Sequence, residues 1–229
     1  MKSWGEWFDA LFVAMTDRNE GVDPELLRAW LDARSMSRGL PLSVEDRGSF
    51  RVDTAQFEDE QRFVFAKASS DVTAVARSIS VPWILIKLCG TRETLRALLP
   101  QNWQVRPPSW FMAKQGRMQT APLVLPPNYT SAVQRVGPVF AAAIQSDDGK
   151  EVAGGRAVLH QGVFVYDQIA TADDHRRRGL GRAIMLLLQE AGCESAATQV
   201  LTATPDGRAL YTALGWEIVS EYCTGKISG

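Results

Sequence analysis

The chain has 229 residues, of which 45% are hydrophobic and 22% are charged, and its formal net charge at pH 7 is −1. This composition is typical of a folded globular protein, and the near-neutral charge argues against a general nucleic-acid binder. No apolar run approaches the roughly 18 residues that a membrane-spanning helix needs, and the residues after Met1 do not resemble a signal peptide. Three cysteines without C-x-x-C spacing and two histidines indicate no metal site. We therefore expect a cytoplasmic protein with no metal, nucleic-acid or membrane partner; its oligomeric state is not indicated.

Two helices are predicted at the start of the chain. Aromatic and apolar residues recur at helical spacing over residues 3–15, which is typical of a helix face that packs in a core. A second helix is predicted to follow Asp23, which can cap it, with Pro24 at its first position and Gly39 at its end. Residues 38–54 show little periodicity and are predicted to form an ordered loop or short hairpin. The arginines of this segment could face a substrate or solvent, and the solvent-facing interpretation is favoured.

The next part of the chain alternates between strand and helix patterns. Strands are predicted near residues 62–66 and 81–88, and helices near residues 71–79 and after Thr91. A β-α-β-α order favours a small α/β layer in which neighbouring strands are parallel.

A proline-rich stretch then separates two differently patterned halves. Six prolines lie between residues 100 and 127, where they exclude a continuous helix and favour extended or turn backbone. We therefore predict an N-terminal α/β domain over residues 1–125 and a second domain over residues 126–229.

The second half begins with strand patterns and a hairpin signal at Asp148-Gly149. An alternating run from Val163 to Thr171 then enters a polar turn. After the turn, apolar residues at helical spacing predict a helix that begins near Leu180. The turn and the helix start therefore follow directly on a strand.

This turn carries the features of an anion site. Arg176, Arg177 and Arg178 supply positive charge, and the first N–H groups of the helix have no intrahelical partner. Glycines at 179 and 181 lack the Cβ atoms that would hold a phosphate away from that backbone. The sequence therefore predicts a pyrophosphate site here.

The spacing Arg-x-x-Gly-x-Gly after a strand resembles motif A of the GCN5-related N-acetyltransferases (GNAT), which bind acetyl-CoA. Residues 208–217, RALYTALGWE, resemble motif B of the same family, in the expected order and at the expected separation. The resemblance covers about residues 129–225. It implies an α+β (mixed α/β) fold with a GNAT-like, largely antiparallel sheet flanked by helices. The β-α-β-α order before it would fit a smaller N-terminal α/β domain that is a degenerate GNAT-like half.

The resemblance also implies site residues. Acetyl-CoA would be the acyl donor, with no metal, and a strand edge would pair with it through backbone groups. The implied donor-binding residues are Ile169, Ala170, Thr171, Arg176, Arg177, Arg178, Gly179, Leu180, Gly181 and Arg182.

Two side chains are candidates for proton transfer. Tyr211 matches the motif-B tyrosine that the family uses as general acid, and we expect it to face away from the stripe of Leu210 and Leu214. Asp167 is the candidate base, since strand alternation would place it on the same face as Ile169. Structural roles for both side chains, as a packing tyrosine and a hydrogen-bonded carboxylate, are the alternatives.

The function implied is N-acetyl transfer from acetyl-CoA to an amine acceptor by direct attack, since no cysteine or serine lies in a nucleophile motif. A non-catalytic acyl-CoA-binding or regulatory module is one alternative. An acyltransferase with a longer acyl donor or a non-amine acceptor is another. Residues 109–129 lack the helical pattern that the family usually has before its strands, so we expect the first 125 residues to supply a wall of the acceptor site.

Overall fold

The computed structural model of the protein describes residues 21–118, 123–193 and 197–228. The helix predicted over residues 3–15 lies outside these ranges. The helices are α1 (Pro24–Arg38), α2 (Ser70–Ser78), α3 (Arg92–Leu98), α4 (Leu180–Gly192) and α5 (Pro205–Ala213). The strands are β1 (Val44–Asp46), β2 (Ser49–Gln56), β3 (Asp59–Phe65), β4 (Ile84–Cys89), β5 (Trp103–Val105), β6 (Ser109–Gln115), β7 (Tyr129–Val136), β8 (Val139–Ser146), β9 (Glu151–His160), β10 (Val163–Thr171), β11 (Thr198–Ala203) and β12 (Glu217–Ile227).

The described strands form one 12-stranded sheet in the order β1-β2-β3-β4-β12-β6-β11-β10-β9-β8-β7, with β5 paired to β12. The pairs β3/β4 and β10/β11 are parallel, and the other pairings are antiparallel. Each parallel pair is connected through a helix, α2 or α4, as a parallel crossover requires. The α+β fold with a largely antiparallel, helix-flanked sheet is thereby confirmed, as is the parallel pairing predicted for the first half.

The two halves of the chain exchange strands within this sheet. Strand β6 of the first half lies between β11 and β12, and β12 continues past β6 to pair with β4. The order β3-α2-β4-α3-β5 in the first half resembles β10-α4-β11-α5-β12 in the second, which fits a degenerate first half. The boundary between residues 125 and 126 stays a prediction, and the sheet is continuous across it.

Helix α1 packs on one face of the sheet, against strands from both halves. Asp23 caps it by accepting hydrogen bonds from the backbone N–H groups of Glu25 and Leu26, at 2.9 and 3.0 Å, and it ends at Gly39 in the left-handed conformation. The predicted start and end of this helix are confirmed. Its fully buried Trp30 makes edge-to-face contacts with Phe111 of β6 and Tyr222 of β12.

The other helices pack on the opposite face, in two clusters. Side chains of β3 and β4 with those of α2 and α3 form one cluster, and side chains of β8 to β11 with those of α4 and α5 form the other. Alternation along the strands produces this division: Met112 joins the α4 cluster, whereas its neighbours Phe111 and Ala113 pack with α1. Among the described helices, none has both the length and the apolar composition that a membrane-spanning segment requires.

Candidate functional site

Strands β10 and β11 separate part-way along their length. Residues Val163–Val165 pair with Thr198–Val200, and the described residues beyond them form no further pairs between the two strands. The equivalent strands of the first half, β3 and β4, stay paired from Gln61 to Phe65. The second half therefore has an open strand edge, with unpaired backbone groups, that the first half lacks.

A β-bulge lies in β10 beside this opening. The register with β9 shifts between Asp167 and Ala170, and Gln168 adopts a left-handed φ of 57°. The extra residue reverses the alternation of side chains, so Ile169 packs in the α4 cluster while Asp167 points toward α1. The predicted placement of Asp167 on the same face as Ile169 is therefore wrong.

Beyond β10, the chain turns into the uncapped N-terminus of α4. The turn contains a short 3-10 helix, Asp173–His175, and Arg177 and Gly179 have left-handed φ values of 62° and 80°. No side chain caps α4, whereas the hydroxyl of Ser69 caps α2 in the first half. A Cβ built at Gly179 would meet nothing within 4 Å. The first N–H groups of α4 thus remain available to an anion.

The missing side chain of Gly181 also permits close packing around the turn, and its predicted role beside a phosphate stays a prediction. A Cβ there would lie 3.1 Å from Leu210 Cδ2 and 3.8 Å from Thr171 Oγ1. Its missing side chain therefore allows α5 to approach both α4 and the end of β10, which places α5 beside the turn.

The three arginines of the turn have different partners. Arg176 pairs with Asp173 at 2.9 Å, and it also lies 3.9 Å from Asp206 at the start of α5. Arg178 donates to the Tyr129 hydroxyl at 2.9 Å and to the Asp174 carbonyl at 3.0 Å. These contacts hold the turn in place.

Arg177 is the arginine of the turn that stays available. It is exposed and, within the parts of the chain that the structure describes, makes no hydrogen bond or ion pair. Its guanidinium is therefore free to pair with an incoming phosphate.

Tyr129 is a structural partner of the turn that sequence reasoning missed. Besides accepting from Arg178, its hydroxyl forms a hydrogen bond of 2.8 Å with Nδ1 of His175, and the two rings meet edge to face. Tyr129 therefore connects the turn to the start of β7. No local pattern could have identified it, because Tyr129 is 46 residues from His175 in the sequence.

Tyr211 lies in the core beside the turn. It is 7% exposed and packs in the same cluster as Leu214 and Trp216, so the prediction that it faces away from Leu210 and Leu214 is wrong. Burial raises the pKa of the Tyr211 phenol to about 12. Its hydroxyl makes no hydrogen bond with any residue that the structure describes. It is therefore a protonated donor with an unused hydrogen, and its role as general acid stays a prediction.

Asp167 is held by the end of α1. Its carboxylate accepts two hydrogen bonds from Arg38, at 2.6 and 2.8 Å, and one from the Ser37 hydroxyl at 2.8 Å, and Arg34 lies 3.5 Å away. Burial by itself raises the pKa of Asp167, but the hydrogen bonds from Arg38 and the charges of Arg34 and Arg38 outweigh it and lower the pKa. A carboxylate stabilised in this way is a weak base, so this geometry argues against the predicted role. The favoured solvent-facing position for Arg38 is also wrong.

Lys87 on β4 belongs to the same face of the sheet as Asp167. Burial lowers the pKa of its ammonium to about 7, from an ordinary value of 10.5, and the positive charges of Arg62 and Arg34 add to the effect. Above pH 7 the unfolded chain still holds this proton while the folded protein has released it. The contribution of Lys87 to the free energy of unfolding should therefore become more favourable as the pH rises above 7.

This effect can be measured in the Lys87→Met variant. We expect the wild-type free energy of unfolding to rise between pH 7 and 8.5 by up to about 1.4 kcal/mol per pH unit relative to the variant. Urea titrations at several pH values would measure the difference. Substitution of the exposed Lys150 with methionine is the control and should leave the pH profile of the wild type unchanged. Parallel profiles for wild type and the Lys87 variant would contradict the prediction.

Among the described residues, no group of three or more His, Cys, Asp or Glu side chains is arranged to hold a metal ion. The candidate site formed by the turn, the open edge and α5 offers backbone N–H groups, arginines and a tyrosine.

Comparison with known proteins agrees with this geometry. The family model for the acetyltransferase (GNAT) domain matches residues 138–218, which span β8 to the start of β12 and include the turn. Residues 138–218 are therefore similar to a GNAT domain. No curated protein matches the sequence.

Solved structures show that the GNAT fold extends beyond the matched segment. A GCN5-related N-acetyltransferase from Kribbella flavida has a TM-score of 0.64 at 18% identity, covering 91% of this chain and 96% of its own. A GCN5-related N-acetyltransferase-like protein from Streptococcus suis has a TM-score of 0.57 at 12% identity, covering 95% of this chain and 100% of its own. A tandem GNAT protein from the clavulanic acid biosynthesis pathway has a TM-score of 0.51 at 10% identity, covering 64% of each chain. These similarities establish the fold alone.

Proposed function

We propose that this GNAT protein transfers an acetyl group from acetyl-CoA to an amine acceptor. The observation that carries the proposal is the combination of an open β10 edge with an uncapped α4 N-terminus directly after it. The first half of the chain has neither feature, because β3 and β4 stay paired and Ser69 caps α2. The second half therefore supplies the donor site.

The residues present fit the two ends of a CoA molecule. The N–H groups that follow Gly179, together with Arg177, would hold the pyrophosphate. The unpaired backbone of residues 169–171 would form hydrogen bonds with the pantetheine amides, as an added strand does at a sheet edge. Acetyl-CoA, when bound, supplies an activated acetyl group as a thioester.

The acceptor amine would attack the thioester carbon directly, and the leaving sulfur would then need a proton. Tyr211 is suited to provide it, since burial keeps its hydroxyl protonated and no described group occupies it. Direct attack also requires that the amine lose a proton, and Asp167 is poorly suited to accept it, because Arg38 already occupies both of its oxygens. The base is therefore left unassigned in this proposal.

The pairing of Asp167 with Arg38 favours one alternative, a GNAT module that binds acyl-CoA without catalysis. Such a module would keep the open edge and the turn while lacking a working base. Incubation of the protein and acetyl-CoA with a panel of amines, followed by mass spectrometry of the products, separates the two functions. Acetylated amines support the enzyme, and CoA binding without any acetylated product supports the module.

Donor binding is tested by the Gly179→Asp variant. The substitution places a negative charge and a side chain at the proposed pyrophosphate position, so the affinity for acetyl-CoA should fall at least tenfold, or by about 1.4 kcal/mol. Isothermal titration calorimetry would measure it. Gly149→Asp is a matched control, because Gly149 has nearly the same φ, 79° against 80°, and equally open space around it. Equal affinities of the two variants would contradict the proposed site.

A further inference from the structure

A cleft opens between α1 and strands β2 and β3, on the face of the sheet that carries Asp167. Its enclosed volume is about 10 Å³, which is room for about one water-sized group, and the rest of the cleft is open to solvent. Three arginines, Arg34, Arg38 and Arg62, line it together with apolar side chains such as Leu31 and Val52. Two of these arginines are engaged within the protein. Arg38 holds Asp167, and Arg62, which is 7% exposed, forms a bidentate pair with Asp59.

Arg34 is the arginine of the cleft that makes no hydrogen bond with a described residue. Its side chain is 18% exposed, and none of its five N–H groups donates to a residue that the structure describes. Its buried Nε lies 3.5 Å from Asp167 Oδ1, an ion-pair contact that is not a hydrogen bond, and its guanidinium carbon lies 5.4 Å from the centroid of the Trp30 ring. A largely buried guanidinium with unused donors is costly unless a partner arrives.

The surroundings of Arg34 have an excess of positive charge. Arg34, Arg38 and Arg62 are cationic side chains on this face, against the carboxylates of Asp59 and Asp167. Lys87, whose pKa is about 7, adds positive charge mainly below neutral pH. The buried hydroxyl of Tyr222 also makes no hydrogen bond with any described residue, and the ammonium of Lys87 lies 5.4 Å from the centroid of its ring. Both the excess positive charge and the unused N–H donors of Arg34 favour the binding of an anionic ligand.

We propose that this cleft binds the carboxylate of the acceptor, with Arg34 as its bidentate partner. Arg34 lies within ion-pair distance of Asp167, but its N–H groups donate to no described residue. Such a guanidinium matches one planar carboxylate, whose two oxygens accept its parallel N–H groups. The inference rests on the proposed acetyl transfer and narrows its acceptors to amines that also carry a carboxylate.

The position of the cleft relative to the donor site supports this assignment. Arg38 lines the cleft and holds Asp167, and Asp167 follows Val165, the last β10 residue paired with β11. The ion pair between Arg38 and Asp167 therefore lies between the cleft and the opening of β10 and β11. An acceptor with its carboxylate on Arg34 can extend past this pair toward the opening, where the acetyl group would be presented.

The test compares acids with their amides. The probes are the common amino acids, β-alanine and 4-aminobutyrate, each assayed beside its carboxamide with acetyl-CoA as donor. For the acceptors that react, we expect kcat/KM to favour the acid at least tenfold in the wild type. The Arg34→Met variant should reduce this preference to within about twofold. Arg28→Met is the matched control, since Arg28 is an exposed arginine of the same helix that pairs with Glu45, and it should keep the preference.

A binding measurement that does not need acetyl transfer separates the two proposals. Ligand-observed NMR with the same acids, in the absence of acetyl-CoA, should show binding to the wild type that the Arg34 variant loses. If acids bind through Arg34 but no amine is acetylated, the cleft assignment stands and the proposed function fails. If the wild type acetylates acids and amides equally, the function stands and the cleft assignment is overturned.

Thermal stability distinguishes a ligand-binding arginine from a structural one. Removing a buried charge that lacks hydrogen bonds should leave the melting temperature of the Arg34→Met variant unchanged or raised. A large fall in melting temperature would overturn the assignment by showing that Arg34 holds the fold. If that variant does not fold, the Arg34→Lys variant takes its place. It keeps the positive charge but loses the paired N–H groups of the guanidinium, and it should bind the acids less tightly. Unchanged acid binding in Arg34→Lys would overturn the assignment as well.

Discussion

Replacing Tyr211 with phenylalanine is expected to lower kcat about 100-fold or more, while the affinity for acetyl-CoA changes by only a few-fold. The variant keeps the ring that packs against Trp216 and loses only the hydroxyl. Because that hydroxyl bonds to no described residue, its removal leaves no buried partner unsatisfied among them. The loss would therefore come from the chemical step, in which the sulfur leaves without a proton. Steady-state kinetics and calorimetry would measure the two quantities.

Tyr166→Phe is the control for this experiment. Tyr166 is a buried tyrosine of the same cluster and also meets Trp216 edge to face, but its hydroxyl donates to Gln199. Its removal should reduce stability, because Gln199 loses a partner, and should leave kcat nearly unchanged. If the Tyr211 variant turns over as fast as the wild type, Tyr211 is a packing residue and the acid must be sought elsewhere.

Replacing Asp167 with asparagine is expected to destabilise the protein by about 3–5 kcal/mol. The substitution removes the charge that compensates Arg38 and Arg34 and leaves both guanidinium groups in a largely buried site. Urea unfolding at neutral pH would measure the change. Asp148→Asn, at an exposed hairpin turn, is the control and should lower the free energy of unfolding by much less.

The pH dependence of the same contribution has a defined sign. The pKa of Asp167 is lower in the folded protein than in the unfolded chain, so its stabilising effect is complete above the unfolded value, near 4. The effect is lost as the pH falls below that value toward the lower pKa of the folded protein. The stability difference between wild type and the asparagine variant should therefore shrink in acid. A variant that is as stable as the wild type but inactive would instead identify Asp167 as the base.

Local sequence patterns were sufficient to predict most helices and strands and the arginine-glycine turn after β10. The caps and prolines of α1 set its ends, since they act on backbone groups within a few residues. The strand, the arginine-glycine turn and the following helix were predictable for the same reason: alternation, glycine conformation and helix-start chemistry are all encoded within about 20 residues. The parallel order of β3 and β4 also followed from their connection through a helix.

The pairing of strands that lie far apart in the chain could not be predicted from local patterns. That β6 inserts between β11 and β12 depends on strands far apart in sequence, whose apolar patterns would suit several neighbours equally. The bulge at Gln168 was not marked by glycine or proline, and it turned Asp167 from the predicted face toward α1. Arg34 and Arg38 contact Asp167 although Arg38 and Asp167 are 129 residues apart in the sequence. Local patterns fix which residues a strand can bury, but which strands and helices share those faces is settled only when the whole sheet packs.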